Sequence, residues 1–455
     1  MRNMTEGSPF SHLWRYAVPL LLANWLQLAY NAADSVIAGR FIGQEALAAE
    51  GIAAPVMNLV ILAVSGLCIG AGIFMSERFG ASDMSSYRRA LAAALQAGLV
   101  LSILITVPGL ILTPALLKLL AVPEEIFRIT VLYQRITFLG VPFTFVYNAL
   151  AAAMKSAGDS KTPLRFLAFS SVLNIVLDLI LLGVFHLGIV TSALTTVIAQ
   201  AGSALLAARC LVLDTPLLLP QKEDWQTDIP ILKKVLFYGA PSALQQAVQP
   251  IGKVLIQGQV NTLGVSSIAA FNAVSRIDGF ACIPEQGIAS SISTYIAQNR
   301  GAEKPERIRK GFFTGLVMET CYGIFIGLLV FFLRRPLTAM FVEGEGSLQV
   351  VEAGAACLAV MAFFYILPGY TNGFQGFCRG MGRIPITILC TFIQISLRTL
   401  FTIILTPTAG IQGIAYASGI GWLAMLAFEV PYVLYHLHQC YYSQFFKQYE
   451  SPFTV

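Results

Sequence analysis

The sequence predicts an all-α integral membrane protein of about twelve transmembrane helices, arranged as two six-helix lobes related by a pseudo-two-fold axis along the membrane normal. Three observations predict it: extreme apolarity, apolar runs of spanning length, and self-similarity at one fixed shift. Of 455 residues, 56% are hydrophobic and 12% charged, with a mean hydropathy of +0.72, more than a soluble protein of this size can bury. Lipid must therefore be the solvent. Because lipid offers the backbone no hydrogen-bond partner, runs of roughly 20 apolar residues are helices, and the alternation of an outer-membrane barrel is absent.

In the first half the runs lie at 14–38, 52–76, 90–113, 131–154, 165–185 and 190–213. The first is entered through Pro9 and Trp14, is long, and shows no small-residue cleavage site, so it reads as a retained span and not a signal peptide. The one sizeable polar interruption, DTPLLLPQKEDWQTDIPILKK at 214–234, reads as a linker. It separates an N-terminal lobe, 1–213, from a C-terminal lobe, 236–455, with 214–235 as a cytoplasmic connection. The second six runs lie at 236–260, 268–297, 312–333, 354–378, 386–406 and 411–437. Pro19, Pro55, Pro108, Pro142, Pro241, Pro250, Pro284 and Pro368 fall within spans or at their ends, where kinks are expected.

With both termini inside and twelve crossings, twenty of the 29 Lys and Arg fall on the cytoplasmic side and six outside, leaving Lys253, Arg276 and Arg398 within spans. This follows the positive-inside rule and places the chain in the cell (inner) membrane. The net charge of +5 is then a matter of topology and needs no nucleic-acid partner. The eight cysteines show no CxxC or metal-like spacing and read as free thiols.

The repeat runs at a shift of 221 to 222 residues. Tyr16 and Pro19 match Tyr238 and Pro241, Gly43 matches Gly264, and Gly80-Ala81 matches Gly301-Ala302. Further on, Gly158 and Pro163 match Gly380 and Pro385, and Gly188-Ile189 matches Gly410-Ile411. Six spans per half make the repeat parallel, an architecture in which substrate binds near the midplane while two lobes rock around it. No Walker A, HExxH, GxSxG or dinucleotide fingerprint is present, so neither an enzyme nor a resident cofactor is expected, and transport must draw on an ion gradient.

Ionisable groups within spans cost several kcal/mol on insertion scales, about +2.5 to +3.5 at mid-helix, and each requires an account. In the first half these are Asp34 and Asp178, the latter one turn after Asn174 on the same helix face. Two carboxylates, an amide and neighbouring hydroxyls form an oxygen cluster suited to a hard cation or a shared proton. In the second half Lys253, Arg276, Asp278, Glu285 and Arg398 fall within spans. Glu285, beside Pro284, is the strongest second-lobe candidate for a proton or substrate role, with an ion pair to Lys253 or an arginine as the structural alternative.

Together YAVPLLLANWLQLAYNAADSVIAGRFIG, SERFGA with its echo AQNRGA, YNALAAAMKSAGDSKTP, and NIVLDLILL followed by GIVTSALTTVIAQ resemble the multidrug and toxic compound extrusion (MATE) family over nearly the whole chain. The resemblance implies antiport: a small organic substrate, often cationic and amphipathic, leaves as Na⁺ or H⁺ enters, through a monomer whose other contact is membrane lipid. It also implies that Asp34, Asn174, Asp178 and Thr196 form the first-lobe cation site, holding Na⁺ if the chain is sodium-coupled, with Tyr30 and Asn148 in the same polar network. Glu285, Lys253 and Arg398 remain for a second-lobe proton or substrate site. The alternative expectation is a flippase of lipid-linked oligosaccharide or cell-wall precursor in the same superfamily, kept open by Lys253, Arg276 and Arg398 as partners for a pyrophosphate.

Overall fold

A computed structural model of the chain describes residues 2–185, 187–226, 228–342 and 347–449, the side chains at 35, 38, 44–47, 347 and 440–449 excepted. Every regular element among them is helical: α1 (Pro9–Phe41), α2 (Gln44–Gly80), α3 (Met84–Leu119), α4 (Glu124–Leu139), α5 (Val141–Ser156), α6 (Lys161–Asp178), α7 (Ile189–Leu213), α8 (Ile229–Asn261), α9 (Val265–Ala281), α10 (Ile283–Gly301), α11 (Pro305–Ala339), α12 (Ser347–Phe364), α13 (Ile366–Gly380), α14 (Ile384–Ala409) and α15 (Ile411–Tyr449). Where short pairs follow one another, α4 with α5, α9 with α10 and α12 with α13, each pair can be counted as one pass, which gives twelve helical passes among the described residues. Eight passes are long and strongly apolar, and α12 with α13 is a ninth, bent by 46°. The remaining three, α1, α8 and α9 with α10, are diluted by polar side chains such as Asn31, Asp34, Gln249, Lys253, Glu285 and Gln286. In lipid such residues mark functional helices.

Pro19, Pro55 and Pro108 lie inside continuous helices, and two other prolines stand where a new helix begins. Pro142 and Pro284 occupy the first turns of α5 and α10, where a missing N–H costs nothing. Seven of the eight cysteines are free, and the side chain of Cys440 lies outside the described residues.

The repeat is visible in backbone conformation. Gly43 and Gly264, 221 apart, both have positive φ (105° and 89°) at a helix N-terminus, and Ser82 and Glu303, also 221 apart, share φ values of 59° and 54°. The left-handed residue equivalent to Gly158 (φ 81°) is Gly382 (φ 73°), 224 residues on. The match to Gly380 at the constant shift is thus corrected by two residues, because the turn before Pro385 is shorter than the turn before Pro163.

Contacts divide the chain into two compact units, Met1–Arg2 with Leu22–Ala247, and Asn3–Leu21 with Val248–Val455. The first unit is held by small residues where helices cross. Gly66 and Gly70, one turn apart on α2, face α8 so closely that an added Cβ would lie 2.3 Å from Ala243 Cα or 2.2 Å from Tyr238 O. This is the small-xxx-small crossing of membrane helices, in which packing replaces the hydrophobic effect as driving force. Around it Phe74, Met75, Tyr87, Leu91, Met154 and Leu211 form a buried core. In the second unit Leu13, Ile292, Tyr295, Phe312 and Phe377 do so.

The polar stretch after α7 is docked onto α3. Asp224, 6% exposed, accepts from Arg88 Nε at 3.0 Å and from Gln221 N at 2.9 Å, and Gln96 Nε2 donates to Trp225 O at 2.8 Å. Leu218 is fully buried in the first unit's core. Asp224→Ala should lower the thermal midpoint by a few degrees, since it strands Arg88 and costs about 1–3 kcal/mol. Scanning fluorimetry checks this, and Asp224→Asn should recover part of the loss by keeping the Gln221 bond.

Candidate cation site and a second polar centre

Asp178 ends α6, and the chain continues from it into a π-helical turn, Leu179–Val184, with Phe185 N donating to Ile180 O at 3.1 Å. Such turns widen a helix and recur at functional positions. Here the widened turn follows a carboxylate that is fully buried in the first unit. Asn174, one turn earlier and 1% exposed, points to the same place. With its amide turned to satisfy both ends, Asn174 Nδ2 donates to Asp178 Oδ2 at 3.0 Å and its oxygen accepts from Thr196 N at 3.1 Å. The opposite orientation offers only hydroxyl contacts of 3.4 and 3.3 Å to Thr195 and Thr196.

Thr195 Oγ1 lies 2.5 Å from Asp178 Oδ1 and 2.7 Å from Ser192 O. One hydroxyl proton cannot serve two acceptors, so the proton count at Asp178 decides which bond forms. When Asp178 is ionised, Thr195 donates to it and Ser192 O loses that bond. When Asp178 carries a proton, it can donate to Thr195, and Thr195 to Ser192 O.

From α1, Asp34 lies near enough to interact with Asp178, and Tyr30, one turn before Asp34, with the Thr196 hydroxyl. Two neighbouring buried carboxyls cannot both stay ionised cheaply without a cation between them. The structure therefore brings together Tyr30, Asp34, Asn174, Asp178 and Thr196. Asn148 is half-buried and donates from Nδ2 to Thr144 O at 2.8 Å on its own helix. Residues not anticipated from sequence are Thr195, Tyr133 and Glu50, whose charges or hydroxyls bear on the same cluster. Among the described residues no three His, Cys, Asp or Glu side chains gather as transition-metal ligands would. The donors are hard oxygens, which suit Na⁺ or a proton.

The second unit holds a different polar centre. Glu285 is fully buried, its carboxylate oxygens lack a well-formed hydrogen bond, and Asn372 on α13 is a polar side chain beside it. The charges of Lys253 and Arg398, the ion-pair partners considered for Glu285, bear on Asp278 instead, which also accepts from Cys282 Sγ at 3.7 Å. Arg276 instead lies over the Phe341 ring, 5.8 Å from its centre. Two further carboxylates were overlooked in sequence, Glu319 on α11 and Glu429 on α15, at 0% and 1% exposure. Glu319 neighbours Glu285, and Glu429 sits with Arg379 and Gln375. Both fall inside predicted spans, so the reasoning applied to Asp178 would have found them.

Comparison with known proteins agrees with this architecture. The family model MatE matches residues 19–180 and 241–404, one match in each half. A probable multidrug resistance protein of Bacillus subtilis, YpnP, is 29% identical over 428 residues, covering 92% of this chain and 94% of its own. A second from the same organism, YoeA, is 26% identical over 392 residues, 84% of each chain. A solved outward-facing multidrug resistance MATE family transporter of the MOP superfamily aligns with a TM-score of 0.89 at 21% identity, over 96% of this chain and 98% of that one. With the family model matched in both halves of an all-helical, strongly apolar chain, this protein belongs to the multidrug and toxic compound extrusion (MATE) family of membrane transporters.

Proposed function

We propose that the chain is a secondary antiporter of the cell membrane, with both termini cytoplasmic, that exports organic compounds in exchange for Na⁺ or H⁺. The names of its relatives support drug extrusion as the activity. The observation that carries the coupling is the fully buried Asp178 facing Asp34, with the Thr195 hydroxyl shared between Asp178 and Ser192 O. A pair of carboxylates in lipid is tolerable only in the company of a cation or a proton, so loading and unloading that ion favours different arrangements of α1, α6 and α7. Tyr30, Asn174 and Thr196 position the pair and offer neutral oxygens to the ion. The two lobes, joined through 214–235, then alternate between loaded and unloaded forms. Glu285, buried without a formed partner, is a second-lobe proton site in the same scheme. Purified protein in proteoliposomes, with Na⁺ and pH gradients imposed one at a time, should expel a fluorescent organic dye under one gradient. Transport under neither would sink the proposal.

A further inference from the structure

Within the second unit, α8, α10, α13, α14 and α15 line a partly open cavity of about 170 Å³. Its wall carries two cations, Lys253 and Arg398, and a ring of amides including Gln249, Gln286, Asn372 and Gln394. No carboxylate is among the residues of this wall, and the acid whose charge bears on both cations is Asp278, on α9. Glu285 is not part of this wall; the polar groups that bear on it are Asn372 and, as a like charge, Asp278. Arg398 has its Nε buried without any hydrogen-bond acceptor, although a guanidinium N–H shut away from water normally finds one. Gly421 clears the space for its stem, as a Cβ there would lie 3.1 Å from Arg398 Cβ. A buried donor lacking its acceptor, in a wall that carries two cations and several amides and no carboxylate, describes a site suited to an anion. The cavity is smaller than the roughly 300–1,000 Å³ of drug-sized pockets, so it would hold the polar end of a larger molecule.

We propose that this cavity is a subsite for the anionic group, carboxylate or phosphate, of a zwitterionic or anionic amphiphile that the transporter exports. The inference rests on the export reading for its biological sense, whereas binding tests it separately. The probes are Nε-dansyl-lysine, its aminophosphonate counterpart and its methyl ester, bound to full-length protein in phosphatidylcholine nanodiscs and followed by dansyl anisotropy. The acid and the phosphonate should bind roughly tenfold or more tightly than the ester, as expected for a charge-assisted bond. Arg398→Gln and Lys253→Gln should each erase that preference while leaving ester binding within about twofold, and Lys253→Arg should retain it. Equal binding of acid and ester, or equal loss of all three probes in the variants, would overturn the proposal. So would complete displacement of the acid by added phosphatidylglycerol, which would make the cavity a lipid-headgroup site. If the binding preference holds but no gradient drives the acid out of proteoliposomes, the export reading falls and the anion subsite stands.

Discussion

Asp178→Asn should abolish export against a gradient while leaving a folded protein. The substitution is nearly isosteric, and the asparagine amide can donate to Thr195 Oγ1 as a protonated Asp178 would, freeing the Thr195 proton for Ser192 O. The variant therefore imitates one loading state permanently and cannot release the ion. Coupled uptake into inverted vesicles should fall roughly 100-fold, the upper range of coupling free energies between two sites. Its thermal midpoint should stay level or rise, because a buried carboxylate is replaced by a neutral group that keeps its hydrogen bonds. Asp34→Asn should act in the same direction but less completely, as Asp34 is only half-buried and the geometry at Thr195 survives it. Wild-type accumulation of dye by Asp178→Asn, at matched expression, would remove the coupling role from this cluster.

The second large effect concerns folding. Gly70→Val should lower the yield of folded protein severely, because its Cβ would lie 2.2 Å from Tyr238 O and 2.3 Å from Tyr238 C, and backbone atoms of α8 cannot rotate out of the way. Overpacking typically costs about 1–3 kcal/mol, and here the added side chain must also separate two helices whose association depends on close contact. Gly66→Val should behave alike. Gly51→Ala, on the same helix but with nothing within 4 Å of its added Cβ, should be neutral or slightly stabilising. Detergent-extracted yield by size-exclusion chromatography, together with the thermal midpoint, checks all three. A normal yield of Gly70→Val would show that the α2–α8 crossing is looser than described.

Much of the molecule was legible before any coordinates. The first-unit cluster could be anticipated because an isolated acid in an apolar run stands out, and because Asn174 and Asp178, like Tyr30 and Asp34, lie four residues apart and so share a helix face. Choosing between Thr195 and Thr196 as the donor to Asp178 was a different matter: adjacent residues point about 100° apart on a helix, and the rotation of α7 about its axis is set by packing. Glu319 and Glu429 were open to the same argument and were missed, since a single acid is easily passed over when the surrounding run remains apolar.

The pairing of charges in the second half shows where sequence stops. Lys253, Asp278, Glu285 and Arg398 lie on four different helices, and hydropathy placed all of them in the membrane without saying which would meet. The sequence by itself determined the helical class, the number of passes, the internal repeat and the oxygen-rich character of the first-unit site, because each follows from the local interaction of side chains with lipid or with their own helix. Only the tertiary structure decided that the charges of Lys253 and Arg398 bear on Asp278, that Glu285 lies beside Asn372, and that a cavity forms with both cations in its wall. The physical reason is that these outcomes depend on how helices distant in sequence rotate and pack against one another, a property that no local pattern encodes.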